Sequence, residues 1–251
     1  MMRTANPALN DKTFQAFGSY AESNQVMTLQ GTVNKTGILL LLAVFTAAIA
    51  WSKFDPINPG ETLGGVKMLM AVGAIGGLIF GLMTAMKPTW APATAPIYAL
   101  LEGLFLGGIS VVFEMMYSGI VMQAIGLTFG VMFALLMAYK SGMIRATENF
   151  KLGVAAATGG IFMLYMASFI MGIFGFSIPF LHSSGPVGIG VSMVIVVIAA
   201  LNLVLDFDFI EEGAKTGAPK YMEWYAAFGL MVTLVWLYIE ILRLLSKLRD
   251  R

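Results

Sequence analysis

The sequence predicts an all-α, polytopic integral membrane protein, a bundle of seven transmembrane helices, on three observations. Hydrophobic residues make up 58% of the 251-residue chain and charged residues 12%, and the mean hydropathy is +0.82, values foreign to a soluble domain. The apolar residues gather into seven windows of roughly 18–25 residues, each long enough to cross a hydrocarbon core of ~30 Å as a helix. Turn signals rich in proline, glycine, serine and asparagine separate most of the windows. Backbone amides find no water inside lipid, so windows of this kind close their hydrogen bonds as helices.

Residues 1–35 read as an aqueous or interfacial N-terminal arm, and residues 36–251 as the membrane domain. The arm is polar and mixed, with Pro7, Gly18 and Gly31, and lacks the apolar run of a signal peptide. Its Phe14, Phe17, Tyr20, Val26, Met27 and Leu29 suit a segment lying on the membrane surface or against helix ends. The first window covers roughly 36–53 and stops before Asp55-Pro-Ile-Asn-Pro-Gly60; the second covers roughly 65–86 and stops at Lys87-Pro88. The third, roughly 93–116, and the fourth, 119–139, are divided by Tyr117-Ser-Gly119. Ser177-Ile-Pro179 and Ser183-Ser-Gly-Pro186 separate the fifth, roughly 152–175, from the sixth, 186–208. The seventh, roughly 223–246, lies between Lys220 and Glu223 on one side and Lys247, Arg249 and Arg251 on the other. Gly73, Gly77 and Gly81 on the second window, with Gly103 and Gly107 on the third, are spaced for helices that pack backbone to backbone.

Lysine and arginine set the expected orientation. One side of a seven-span chain collects Arg3, Lys12, Lys35, Lys87, Lys140, Arg145, Lys151, Lys215 and Lys220; the other has Lys53, Lys67, Arg243, Lys247, Arg249 and Arg251. The excess places the N-terminus in the cytoplasm. The basic tail then lies outside, or the last segment folds back.

Several function classes are excluded on composition. Net charge +1 and a single histidine supply neither a basic field for nucleic acid nor a ligand set for a transition metal, and the absence of cysteine removes thiol and disulfide chemistry. The 19 methionines, scattered through the spans, read as fillers between helices. Catalysis is not expected: no nucleophile elbow accompanies His182, no His-x-x-x-His pair exists, and no lysine between Lys220 and Lys247 could carry a retinal. No cofactor is expected, and the lipid bilayer is the first partner.

The candidate functional groups are carboxylates. In Ala199-Ala-Leu-Asn-Leu-Val-Leu-Asp-Phe-Asp-Phe-Ile-Glu-Glu-Gly213, Asn202 and Asp206 share a helical face, whereas Asp206 and Asp208 stand ~200° apart, so that one faces protein and the other water. An inward Asp206 is a site hypothesis; the alternative is that both aspartates mark the end of a span. Glu102 lies near the middle of the third span, where a lone carboxylate is costly unless protonated, paired or hydrated. Glu240 lies deep in the last span with Arg243 three residues on, in reach of a local pair, and Glu114 reads as interfacial. Asp206, Glu102, Glu240 and Glu114 form a possible line across the membrane, and carboxylates suit hard cations such as Ca²⁺ and protons.

Three stretches resemble the Bax inhibitor (transmembrane Bax inhibitor motif) family in its bacterial branch. They are Asn6-Pro-Ala-Leu-Asn10 with Met27-Thr-Leu-Gln-Gly-Thr-Val-Asn-Lys-Thr-Gly37, then Ala99-Leu-Leu-Glu-Gly-Leu-Phe-Leu-Gly107, and Leu205-Asp-Phe-Asp-Phe-Ile-Glu-Glu-Gly213. The resemblance implies a bundle whose last helix is wrapped by the other six, set in a bacterial inner membrane and acting as a pH-sensitive Ca²⁺ leak. It also implies two aspartates, on the sixth and seventh helices, that share a proton and control opening. Asp206 matches the first, but Thr233 stands about where the second belongs, with Glu240 two turns further on. Either Glu240 or Glu102 replaces the missing partner, or this chain is gated otherwise. The resemblance implies a different role as well: some bacterial relatives are regarded as binding partners of a membrane-bound protease, and the alternative for this chain is a regulatory interactor with no flux of its own.

Overall fold

The computed structural model describes residues 26–176, 178, 181 and 183–250. The arm's Phe14, Phe17 and Tyr20, its Asn6–Asn10 stretch and His182 lie outside the described residues.

Among the described residues, seven helices are long and apolar enough to cross a membrane: α1 (Leu29–Ser52), α2 (Pro59–Met86), α3 (Ala91–Met116), α4 (Ile120–Lys140), α5 (Glu148–Ile173), α6 (Pro186–Lys215) and α7 (Met222–Arg249). A single 3-10 turn, Pro88–Trp90, leads into α3. Among the described residues the one extended pairing is an isolated antiparallel bridge between Val26 and Pro219.

Several helices outrun their apolar windows, and local chemistry explains where each one starts or stops. α1 begins at Leu29 rather than residue 36 because Thr28 caps it, its Oγ1 accepting from Gly31 N–H at 3.0 Å. α5 begins at Glu148 because Thr147 caps it through Phe150 N–H at 3.3 Å. α6 passes the aspartates and continues to Lys215. An ion pair of 2.6 Å between Lys215 and Glu211 supports its polar last turns, and Gly217 at φ 69° lets Ala218 N–H return to Gly213 C=O at 3.0 Å. Asp206 therefore lies inside a helix and not at its end. In the connection before α2, Asp55 accepts from Ile57 N–H at 2.8 Å and from Asn58 Nδ2 at 3.1 Å, which holds its carboxyl below the usual carboxylate range.

The described residues form two compact units. One contains the described residues 26–118 and 208–232, hence α1–α3, the end of α6 and the start of α7. Here α3 packs against both α1 and α2, which barely touch each other. The glycines make this possible. A Cβ on Gly73 would lie 2.5 Å from Leu101 C=O, and one on Gly107 would lie 2.5 Å from Ala47 C=O, so α2 and α1 approach opposite faces of α3 at backbone distance. The other unit contains 119–207 and 233–251, hence α4, α5, most of α6 and the second half of α7. Tyr139 of α4 meets Phe207 of α6 there, ring centroids 6.1 Å apart, and Arg249 of α7 donates to Gln123 of α4 at 3.0 Å.

Burial separates the helices by role. In the most apolar stretch of α7, 67% of the residues are buried, against 6% in α5, so α7 is a core helix and α5 is largely half-buried or exposed. Buried hydroxyls on the spans return to their own helix: Thr36 donates to Thr32 C=O, Ser110 to Leu106 C=O and Thr128 to Ala124 C=O. No polar hydrogen is then left facing hydrocarbon at these positions.

Candidate functional site

In the unit holding most of α6, Asp206 is 2% exposed, within the continuously buried stretch Asn202–Phe207. Asn202, one turn earlier on the same face, directs both amide hydrogens elsewhere, to Thr158 Oγ1 of α5 and to Ile198 C=O, each at 2.8 Å. Thr233, at the position where the resemblance implies a second aspartate, is buried in α7 within the same unit.

Two turns further along α7, Glu240 is 2% exposed and committed to a local cluster. Arg243 Nη1 donates to Oε1 at 3.0 Å and to Oε2 at 3.2 Å, and Tyr165 of α5 donates its hydroxyl hydrogen to Oε1 at 2.8 Å. Arg243 also donates to the Tyr165 oxygen and lies over its ring at 5.1 Å. The i, i+3 spacing foreshadows the ion pair; nothing local in the sequence foreshadows Tyr165, which is 75 positions away. One turn beyond, Lys247 is buried, and its ammonium donates to Leu181 C=O at 2.7 Å, Gly188 C=O at 3.2 Å and Ser192 Oγ at 2.8 Å. All three acceptors are neutral. This half of α7 thus carries one buried carboxylate and three cations, Arg243, Lys247 and Arg249.

In the other unit, Glu102 is 9% exposed, close to the middle of the 26 residues of α3. Its carboxylate lies against Gly77 of α2, where a Cβ would fall 2.7 Å from Oε2. The second-span glycines therefore do more than bring backbones together, because Gly77 leaves the space that a buried carboxylate occupies. Tyr98, one turn before Glu102, is buried edge-on against Phe228 of α7, centroids 4.9 Å apart at 81°. Asp208 and Glu114 are each half-buried. Among the described residues no group of three or more acidic or imidazole side chains is arranged to hold a metal ion.

One buried carboxylate escaped attention in the sequence. Glu223, in the first turn of α7, is fully buried and receives Thr28 N–H and Thr28 Oγ1–H, each at 2.9 Å, Lys220 at 2.9 Å, and Lys35. Its signal is faint: Thr28, Gly31 and Lys35 stand at helical spacing near the beginning of the chain, and their partner is 195 positions from Thr28.

The fold and these groups define a multi-pass membrane protein that keeps ionisable residues inside its spans. The family model described as Bax inhibitor 1 like matches residues 6–250, so the chain belongs to the Bax inhibitor 1-like family. No curated protein matches the chain.

Proposed function

We propose that the protein is a cation pathway of a bacterial inner membrane, a pH-modulated Ca²⁺ leak, with its N-terminus in the cytoplasm. Asp206 is its titrating group, and Glu102, in the other unit, is a separate candidate carboxylate. The observation that carries this reading is that both carboxylates stand inside apolar helices and within the protein, at 2% and 9% exposure, away from the helix ends. A charged side chain at the centre of a span costs ~2.5–3.5 kcal/mol on insertion scales, a cost that bears on Glu102, midway along α3, and that an inert residue has no reason to carry. Oxygen ligands of this kind suit Ca²⁺ and protons, which are the transported or sensed species here and not cofactors. Glu240 is left out of the path, since Arg243 and Tyr165 already occupy its oxygens.

A second reading rests on that same half of α7. Arg243 and the buried Lys247 oppose the passage of cations along this face, which favours a regulator without flux of its own, one that binds a membrane-bound protease. Purified protein in liposomes separates the two. The leak reading expects Ca²⁺ uptake above that of empty liposomes, altered by Glu102→Gln at unchanged thermal stability. No uptake by the wild type decides for the regulator, and an unaltered Glu102→Gln reduces that residue to packing.

A further inference from the structure

The cluster around Glu223 is not used by either reading, and its chemistry is unusual for a structural contact. One carboxylate, fully buried, takes four donors that come from two ends of the chain: Thr28 through its amide and its hydroxyl, Lys35 from the second turn of α1, and Lys220 from the turn before α7. Gly31 faces the carboxylate so closely that any Cβ there would overlap it, so a glycine is required for the seat to form. Lys35 also lies over the Trp224 ring at 5.6 Å. Beside the cluster, Met27 N–H donates to Ala218 C=O at 2.6 Å and Val26 pairs with Pro219. Residues 26–35 are thus bound to 218–224 by backbone and by charge at once, within one unit.

A buried carboxylate held this way releases steeply. Losing one cation leaves a desolvated charge under-compensated, which destabilises the buried, closed arrangement as a whole. We propose that these residues form a latch, closed in this structure, that makes residues 26–35 and the first turn of α7 open as one unit. With Glu223 engaged the two segments open and close together; with it released they separate. The proposal stands whether or not the chain passes an ion.

Hydrogen exchange on the full-length protein tests it, read on peptides covering 26–36 and 220–230, with a peptide from the middle of α3 as the control for folding. Glu223→Gln and Gly31→Ala are each expected to raise exchange ~10-fold or more in both peptides, by loss of a charge-assisted seat, and to leave α3 protected. The chain has no cysteine, so Val26→Cys with Pro219→Cys can form only one disulfide within a chain. Oxidised in the Glu223→Gln background, this pair is expected to restore protection at 220–230, and reduction to remove it. If both substitutions unfold α3, the wild type decides alone, because a latch requires the two peptides to show one common opening constant as denaturant is raised. Exchange that rises in only one peptide, a disulfide that fails to restore 220–230, or unequal opening constants in the wild type would each overturn the latch.

Discussion

Arg243→Leu is expected to destabilise the protein by about 2–3 kcal/mol, and the structure gives the terms. Removing one partner from a buried ion pair costs ~3–5 kcal/mol, because the other charge stays behind without compensation. Glu240 fits that description at 2% exposure, whereas Arg243 is 35% exposed, so solvent already screens part of its charge and lowers the loss. Tyr165 remains as a donor to Oε1 at 2.8 Å and holds some of the charge. Tyr165→Phe removes a hydroxyl that both donates to Glu240 and accepts from Arg243, and is expected to cost about 1–2 kcal/mol. Glu240→Leu leaves an arginine that can extend toward water, at about 1–2 kcal/mol. The double substitution Glu240→Leu with Arg243→Leu replaces the pair by apolar volume and is expected within ~1 kcal/mol of the wild type. With the double substitution near zero, the cycle should therefore return a coupling of about 3–5 kcal/mol, the sum of the two single losses. Reversible unfolding in mixed detergent micelles measures it. An Arg243→Leu variant within ~0.5 kcal/mol of the wild type, or strictly additive single substitutions, would refute the desolvated pair, and with it the reason for leaving Glu240 out of the ion path.

Further predictions follow from the other buried groups. Gly77→Ala places a methyl 2.7 Å from Glu102 Oε2, so the carboxylate must move; Ca²⁺ flux in liposomes is expected to change as it does in Glu102→Gln, and unchanged flux would separate the two residues. Lys247→Met strands the carbonyls of Leu181 and Gly188 and the Ser192 hydroxyl, and is expected to lower stability by ~2–4 kcal/mol on unfolding in micelles; a loss below ~0.5 kcal/mol would show that water reaches these acceptors. Reporters fused at the N-terminus and inserted near Ser183 should read on opposite faces of the membrane, cytoplasmic and external, and both on one face would contradict the orientation drawn from lysine and arginine.

The sequence displays the spans clearly because hydrocarbon is an undemanding solvent: any helix of twenty apolar residues satisfies it, and composition alone reveals such stretches. Helix ends are legible only where their chemistry is local. Pro186 marks the start of α6, but the extension of that helix past Asp208 depends on the Lys215–Glu211 pair and the Gly217 turn, both beyond the apolar window. The start of α1 at Leu29 is hidden because its first turns mix Leu29 and Val33 with polar residues, and the partner of Thr28, Gly31 and Lys35 is Glu223 from across the chain. The site follows the same division. Glu240 with Arg243 can be read from an i, i+3 spacing, and the depth of Glu102 from its place in a window. The acceptors of Lys247, the hydroxyl of Tyr165 and the seat of Glu223 join residues 55 to 195 positions apart, and no periodicity records them. The glycine pattern on α2 announces close packing, but not that one of its gaps is filled by a carboxylate from α3.

The central claim, that a buried acidic residue on α6 governs a cation path, is tested most directly by Ca²⁺ flux into liposomes between about pH 5 and pH 8, a range that brackets carboxylates held in apolar surroundings. Wild type and Asp206→Asn are compared, since asparagine keeps the shape and removes the titration. The wild type is predicted to change flux steeply within this range, and Asp206→Asn to give a flat profile. A variant whose profile overlays that of the wild type would contradict the assignment of Asp206 as the sensor and turn the account toward a regulator that passes no ion.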